Sequence, residues 1–299
     1  MSNWALYLVT VLIWGASWYG IKLQLGVVEP AVSVMYRFAA ASLILMAWCL
    51  VRGVSLRFDP RQHGFAALMG FLMFCLNYVV FYIATTDVTT GFVELSVSLM
   101  VILNSLFGSW FLGRPMRPMV VIGGLAGVAG IALVFWSELS GAGGGQATVP
   151  GIVLCLIGTV SVSLGNTVSA RNQQAGMAVL PTNAIAMGYS ALFIALYVAA
   201  TGKPVTFDVS PVYMGTLAYL VLFGTIIAFG CFLTLLGRIG SDRAAYALVL
   251  QPVAALAIST VAEDFQWGWP AALGVALVIA GNVIVLGTGR NTSVARQAL

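Results

Sequence analysis

The sequence predicts an all-α, polytopic membrane protein with ten transmembrane helices, arranged as two five-helix inverted repeats around a central cavity. Three observations predict this architecture: the composition, the spacing of apolar runs and a likeness between the two halves of the chain. Of the 299 residues, 61% are hydrophobic and only 7% are charged, with a net charge of +4. A soluble domain has roughly 25% charged residues. Because so few charges cannot cover a surface in water, lipid must surround most of this chain.

Apolar runs long enough to cross a bilayer, about 20 residues each, recur between short breaks that contain Pro, Gly or charge. We predict ten spans, at 4–22, 31–51, 64–84, 90–112, 118–136, 150–170, 181–200, 211–236, 244–262 and 269–287. The first run has no basic leading segment and is longer than the apolar region of a signal peptide, so we interpret it as a span.

The basic residues fall mainly on one side of these spans. With the N-terminus inside, the cytoplasmic breaks and the tail hold ten basic residues: Arg52, Arg57, Arg61, Arg114, Arg117, Arg171, Arg238, Arg243, Arg290 and Arg296. The opposite side holds only Lys22 and Lys203. Since cytoplasmic loops retain positive charge, we expect both termini in the cytoplasm, which requires an even number of spans.

The second half of the chain resembles the first at an offset of about 150 residues. Pro30 and Pro181 open spans 2 and 7, and Gly130 in span 5 matches Gly281 in span 10. Five spans per half give the two copies opposite orientations, and inverted repeats are typical of transporters with a site where the halves meet. The predicted organisation is a first repeat at 1–136, a linker at 137–149, a second repeat at 150–287 and a tail at 288–299.

Five short features carry a resemblance to a known family: "WGASW" with Trp14 and Gly15, Pro30 followed by Arg37, "LQPVAA" with Gln251 and Pro252, Glu263, and Gly281 in "IAGNVIVLG". On these features the chain resembles the drug/metabolite transporter superfamily, in particular its ten-span EamA-type exporters, over about residues 4–287. The resemblance implies a bacterial inner-membrane protein that exports amino acids or related metabolites. The first repeat departs from the family pattern, because Leu103 or Asn104 stands where Pro is usual and Arg114 where an acid is common.

Glu94 is an unusual residue, a carboxylate within the apolar stretch "GFVELSVSLM" of span 4. It lies about 6 Å from the outer end of its span, and Arg37 lies about 10 Å into span 2, so their depths allow a pair. Ionised side chains at such depths usually face a partner or a wet cavity. We therefore expect Glu94 to line an outward-facing vestibule, where it contacts a substrate amine or carries a coupling proton. The alternatives are a helix cap at the interface for Glu94 and, for Arg37, snorkelling or a lock between two helices.

Polar and aromatic side chains recur on single faces of several predicted spans, which should turn away from lipid. The predicted substrate-binding residues are Trp14, Ser17, Trp18, Asn77, Tyr78, Tyr82, Glu94, Ser98, Asn104, Ser163, Asn166, Tyr246 and Gln251. Tyr246 is included because it occupies the position of Glu94 under the repeat offset. Arg37 and Pro252 are predicted to act in structure or gating. The open alternatives are hydrogen bonds between helices for the hydroxyl and amide groups and a simple kink at Pro252.

The sequence disfavours several other classes of function. It contains no HExxH, GxSxG or phosphate-binding loop motif, its sole histidine is His63, and its four cysteines are scattered, so neither an enzyme nor a metal or other cofactor is expected. No basic tract suggests nucleic acid, and an inverted repeat suits alternating access better than a channel.

The remaining alternatives are an amino-acid or metabolite exporter and a broad exporter of drugs or lipophilic cations. The resemblance favours the first, since span 1 lacks the acid on which short multidrug relatives depend. The expected partners are a small-molecule substrate and the lipid bilayer, and either a monomer or a homodimer is possible.

Overall fold

The computed structural model describes residues 1–113, 118–139, 149–232, 251, 258, 260, 261 and 267–287. Within these residues every regular element is a helix, with no strand, and short turns and loops join the helices. Seven helical stretches in this part of the chain are long and apolar enough to cross a membrane. The predicted class, an all-α polytopic membrane protein, is confirmed.

The helices of the first half follow the predicted spans closely. They are α1 Asn3–Lys22, α2 Pro30–Val51, α3 Pro60–Met69, α4 Asn77–Ala84, α5 Thr90–Ser98, α6 Met100–Leu112 and α7 Pro118–Leu139. A π-helical turn, Gly70–Leu76, joins α3 to α4 into one continuous span. We call this segment the first π turn.

The second half begins with α8 and is described less completely. Its helices are α8 Val149–Gln174, α9 Val179–Thr201, α10 Pro211–Tyr219 and α11 Trp269–Gly287. A second π turn, Leu220–Ile227, follows α10, and the helix continues to residue 232. Nine of the ten predicted spans therefore coincide with described helices. Most of the predicted span 244–262 lies outside the described residues, so the count of ten stays a prediction.

Two spans differ locally from their predicted form. Span 3 begins at Pro60 rather than at residue 64, because Asp59 and Gln62 form a capping box. The Asp59 side chain accepts from the backbone N–H of Gln62 at 2.8 Å, and the Gln62 side chain accepts from the backbone N–H of Asp59 at 2.9 Å. Span 4 is divided at Leu99, whose N–H donates to the Ser96 carbonyl at 3.1 Å, a tighter bond than that of the α-helix.

The two π turns occupy corresponding positions in the two halves, residues 70–76 and 220–227. The first packs against α8 and α9, and the second packs against α1 and α2. π-helical turns are rare and occur often at functional sites. A functional site is therefore expected in the space between the helices that pack against the two π turns.

Close helix pairs also join the halves in a matched way. Helix α2 packs along α9, and α7 packs along α11. A Cβ atom added at Gly130 would meet the backbone of Gly274, and one added at Gly281 would meet the carbonyl oxygen of Gly123. The two contacts exchange with each other under the repeat offset, as expected for halves related by a two-fold axis. The inverted repeat itself stays a prediction.

Candidate functional site

A cavity of about 340 Å³ lies between helices of both halves. Ten of its lining residues are candidates predicted from the sequence: Trp14, Ser17, Trp18, Arg37, Asn77, Tyr78, Glu94, Asn104, Asn166 and Gln251. The other nine described lining residues are apolar: Ile21, Met73, Phe74, Phe81, Val97, Met100, Val162, Phe229 and Phe232. The cavity therefore combines a small set of polar groups with a largely aromatic wall.

Glu94, on α5, is the acid of this cavity and is only 2% exposed. Its Oε2 accepts a hydrogen bond from the indole Nε1–H of Trp18 on α1. The Trp18 ring in turn packs edge-on against Phe81, with 5.1 Å between the ring centroids. The side chain is thus buried against α1 instead of lying exposed at the start of its helix. A buried carboxylate held by a neutral donor can accept a further donor from a ligand.

Arg37, on α2, is the base of the cavity and is 1% exposed. Its Nε–H donates to Thr225 Oγ1 in the second π turn at 3.1 Å, and its guanidinium carbon lies 4.7 Å from the centre of the Tyr78 ring. The Nη1 group has no hydrogen-bond partner among the described residues. A Cβ atom at Gly224 would crowd Ser17 Oγ at 3.0 Å and would reach ordinary contact with Nη2 at 3.5 Å, so the second π turn packs closely against both side chains.

The structure corrects one detail of the predicted Arg37–Glu94 relation. Both side chains line the same cavity, but they form no ion pair with each other. Each is held by a different neutral group, Thr225 for Arg37 and Trp18 for Glu94. The physical reason is that the depth of a residue in a span fixes its height but not the direction of its helix face.

Asn104 is the centre of a polar cluster that joins α6 to α8. Its Oδ1 accepts from Ser163 Oγ at 2.8 Å and from Asn166 Nδ2 at 3.4 Å. Asn104 and Asn166 line the cavity, whereas Ser163 is fully buried behind them. Ser163 therefore holds Asn104 in place rather than facing the cavity.

Two further amides bring unused hydrogen-bonding capacity to the cavity. Asn77 and Gln251 are each 3% exposed. Within the described part of the chain, the Oδ1 of Asn77 and the Nε2 of Gln251 have no hydrogen-bond partner. An unpaired buried amide is unfavourable, and a ligand with both donors and acceptors would satisfy these two groups.

The aromatic wall is organised around Trp14 and the second π turn. The Trp14 Nε1–H donates to the Gly224 carbonyl at 3.1 Å, and its ring packs against Phe229 and Phe232 at centroid distances of 5.2 and 5.4 Å. The sequence pattern missed Phe81, although it lies one turn after Asn77, only about 40° away on the helix. The other rings missed, such as Phe74, gave no polar signal that would separate them from core residues.

Besides Ser163, four predicted site residues are not placed at the cavity by the structure. Tyr82 is fully buried outside the cavity lining, where its hydroxyl donates to Gln24 Oε1 at 3.0 Å and its side chain also contacts Arg37. Its position about 140° around the helix from Asn77 explains why it points away from the cavity. Ser98 ends α5, but its side chain lies outside the described residues, as do Tyr246 and Pro252 entirely.

The profile of the EamA-like transporter family matches residues 3–136 and 149–287. The chain belongs to this family. The resemblance noted in the sequence is therefore confirmed, and the family is one of membrane transporters. The two matched stretches correspond closely to the two predicted repeats.

The names of the relatives place them in the inner membrane or leave their role open, and none names a substrate. The chain is 29% identical to the uncharacterized inner membrane transporter YedA of Escherichia coli (strain K12), over 92% of this chain and 88% of YedA. It is 22% identical to protein PagO of Salmonella typhimurium (strain LT2), over 93% of this chain and 90% of PagO. A protein of known crystal structure matches 97% of this chain and 98% of its own with a TM-score of 0.67. At 21% identity this last likeness shows the fold alone.

Proposed function

We propose that this EamA-family member exports amino acids or related small metabolites across the bacterial inner membrane by alternating access. The location is supported by the relative YedA, which is described as an inner membrane transporter. The observation that carries the proposal is a cavity whose described lining brings an acid, a base and four amides together with an aromatic wall.

The size of the cavity fits a small metabolite. Ligand sites in proteins usually measure about 300–1,000 Å³, and this one, at about 340 Å³, is near the lower limit. Glu94 accepts a substrate ammonium group, while Asn77 and Gln251 offer the hydrogen bonds that fix its orientation. The aromatic wall receives a side chain of variable shape.

The position of the cavity between the halves suits alternating access. Glu94 comes from the first half, whereas Asn166, Phe229 and Gln251 come from the second. Rocking of one helix group against the other would therefore open the same site first to one side and then to the other. The glycine contacts between α7 and α11 allow close packing at which such a motion can pivot.

Export of lipophilic cations is the second candidate, and a specific feature favours it. Seven aromatic rings and one carboxylate line the described part of the cavity, a combination that binds organic cations. Arg37 in the same wall argues against it, because a second cation would be repelled by the guanidinium. A substrate with both an ammonium and a carboxylate group meets no such penalty.

The decisive experiment is transport by the purified protein in proteoliposomes, with a panel of labelled amino acids and with and without an imposed pH gradient. We expect flux of several amino acids, reduced at least about tenfold in Glu94→Gln, since a hydrogen bond to a charged group contributes about 1.5–3 kcal/mol. Glu29→Gln, the same chemical change on an acid outside the cavity, is the matched control and should leave flux unchanged.

The contrary results are equally specific. Flux of lipophilic cations without flux of amino acids would establish the drug-exporter alternative. Normal amino-acid flux in Glu94→Gln would show that the Glu94 carboxylate does not take part in transport. Dependence on the pH gradient that is lost in Glu94→Gln would assign proton coupling to this residue.

A further inference from the structure

We infer that Arg37 is the carboxylate-binding group of this site, and that Arg37 and Glu94 together select zwitterionic amino acids over simple amines and simple acids. The inference rests on the proposed function and adds the chemical basis of substrate choice. It assigns to Arg37 a direct role in binding, where the sequence predicted a role in structure or gating.

The first reason is the state of the two charges. Arg37 is the base and Glu94 the acid among the described residues of the cavity wall. Both are at most 2% exposed, and they do not pair with each other. Unpaired buried charges are costly in a membrane protein. A ligand that brings both a carboxylate and an ammonium group neutralises both of them at once.

The second reason is the way Arg37 is held. Only its Nε–H is used in the contact with Thr225, the Tyr78 ring lies against the guanidinium, and the Tyr82 side chain also contacts Arg37. The terminal Nη1 has no partner within the described residues, although it is buried. Guanidinium groups that are fixed in this way bind carboxylates bidentately, through two parallel N–H···O hydrogen bonds. A lock between α2 and the second π turn would require only the Nε contact and would leave the buried Nη1 unexplained.

Glu94 offers a corresponding acceptor for the ammonium group. The Trp18 indole donates to Oε2, and no other described residue donates to this carboxylate. A neutral donor holds the carboxylate in place without cancelling its charge. The Glu94 side chain therefore remains available to a cationic group.

Charge balance through the transport cycle also favours a zwitterion. The pair Arg37 and Glu94 sums to zero, and so does the pair with a bound amino acid. An amine or a carboxylic acid would add one net charge to a site that must reorient within the membrane, where charge is disfavoured. The site is thus best matched to substrates without net charge on their backbone groups.

The test uses the full chain purified in detergent, with binding of the amino-acid panel measured by calorimetry. Each amino acid that binds is compared with its amide, which lacks the carboxylate, and with its N-acetyl derivative, which lacks the ammonium. We expect the wild type to bind the amino acid at least about tenfold more tightly than either derivative, since each lacks one charge-assisted contact. In Arg37→Gln the preference over the amide should disappear while affinity for the amide is unchanged.

Two further variants guard against effects on folding. Arg37→Lys keeps the positive charge but loses the paired N–H donors of the guanidinium. It should therefore retain a reduced preference for the amino acid over the amide. Arg52→Gln changes an exposed arginine just beyond the end of the same helix and should behave as the wild type. Elution as a single species from size exclusion and an unchanged helical signal in circular dichroism would establish that each variant is folded.

The outcomes separate this inference from the proposed function. If amino acids are transported but the wild type binds amides equally well, Arg37 does not read the carboxylate and the inference is wrong. An equal loss of affinity for amino acid and amide in folded Arg37→Gln would show that Arg37 supports the structure of the site and does not bind the substrate carboxylate. If no amino acid binds or is transported, the proposed function fails, and the substrate selection inferred from it fails as well.

Discussion

At the scale of single residues, the contact between Trp18 and Glu94 explains how an apolar chain accommodates a carboxylate. The indole donor lies on α1, and the acceptor lies on α5. Burial of an ionisable group without a partner is strongly unfavourable, and a hydrogen bond to a charged group recovers part of that cost. Trp18 thus stabilises a residue that the fold alone would disfavour.

Trp18→Phe is expected to destabilise the protein by about 1.5–3 kcal/mol, because it keeps an aromatic ring beside Phe81 but removes the Nε1–H donor. The measurement is the unfolding temperature in detergent. The control is Trp48→Phe on α2, where the tryptophan is 55% exposed on the surface of the bundle and little change is expected. Equal stability of Trp18→Phe and the wild type would mean that the indole N–H does not support Glu94.

At the scale of elements, the first π turn depends on close contact with α9. A Cβ atom at Gly70 would overlap the carbonyl oxygen of Ala186 and come within 3.3 Å of the Tyr189 Cβ. A backbone carbonyl cannot move aside as a flexible side chain can. The glycine therefore sets the distance between span 3 and α9, and with it the placement of Asn77 just after the turn.

Gly70→Ala should destabilise the protein by about 1–3 kcal/mol, the usual cost of overpacking. Gly64→Ala, in the same span but with open space around the added methyl group, is the matched control. There the higher helix propensity of alanine should give a neutral or slightly stabilising effect. The comparison of the two unfolding temperatures tests the contact, and equal effects of both changes would contradict it.

The loop before α2 and the loop after α9 are joined by an ion pair between Glu29 and Lys203. The hydrogen bond to the Glu29 carboxylate raises the pKa of Lys203 above its ordinary value of 10.5. A raised pKa in the folded state means that the stabilisation is fully present below pH 10.5 and is lost as pH rises through the folded value.

Lys203→Gln should therefore cost no more than about 1 kcal/mol at neutral pH, as expected for a surface ion pair that remains partly accessible to water. The difference in unfolding temperature from the wild type should shrink in 1 M salt, where screening acts within about 3 Å. It should also vanish at pH values well above 10.5. Arg57→Gln, at an exposed arginine before α3, serves as the control for loss of a positive charge. A difference that persists in high salt and at high pH would show that the ion pair is not its cause.

At the scale of the whole molecule, the membrane topology follows from the basic residues and from the predicted count of ten spans. Both termini are expected on the cytoplasmic side, and the loop that contains Lys203 on the opposite side. Green fluorescent protein fused at either end should then fluoresce, and alkaline phosphatase inserted beside Val205 should be active. Phosphatase activity at the C-terminus alone would require an odd number of spans, and activity at both termini would reverse the predicted orientation.

Much of the fold was predictable from the sequence, because the features that define it are local. Apolar length fixes each span, and a capping box such as that of Asp59 and Gln62 fixes where a helix begins. The described helices therefore match the predicted spans. The ionisable groups of the cavity, Arg37 and Glu94, were also identifiable, since a charge within an apolar run requires a special environment.

Only the tertiary structure decided how these groups are combined. Glu94 meets Trp18 rather than Arg37, and Phe81 rather than Tyr82 lines the cavity. These choices depend on how neighbouring helices are rotated and on π turns that add a residue to a helical repeat, which turns the following face by about 100°. No periodicity in the sequence reports such an insertion. The sequence by itself determined that this chain spans a membrane and which charges it buries there, whereas the packing of the helices determined what each charge faces.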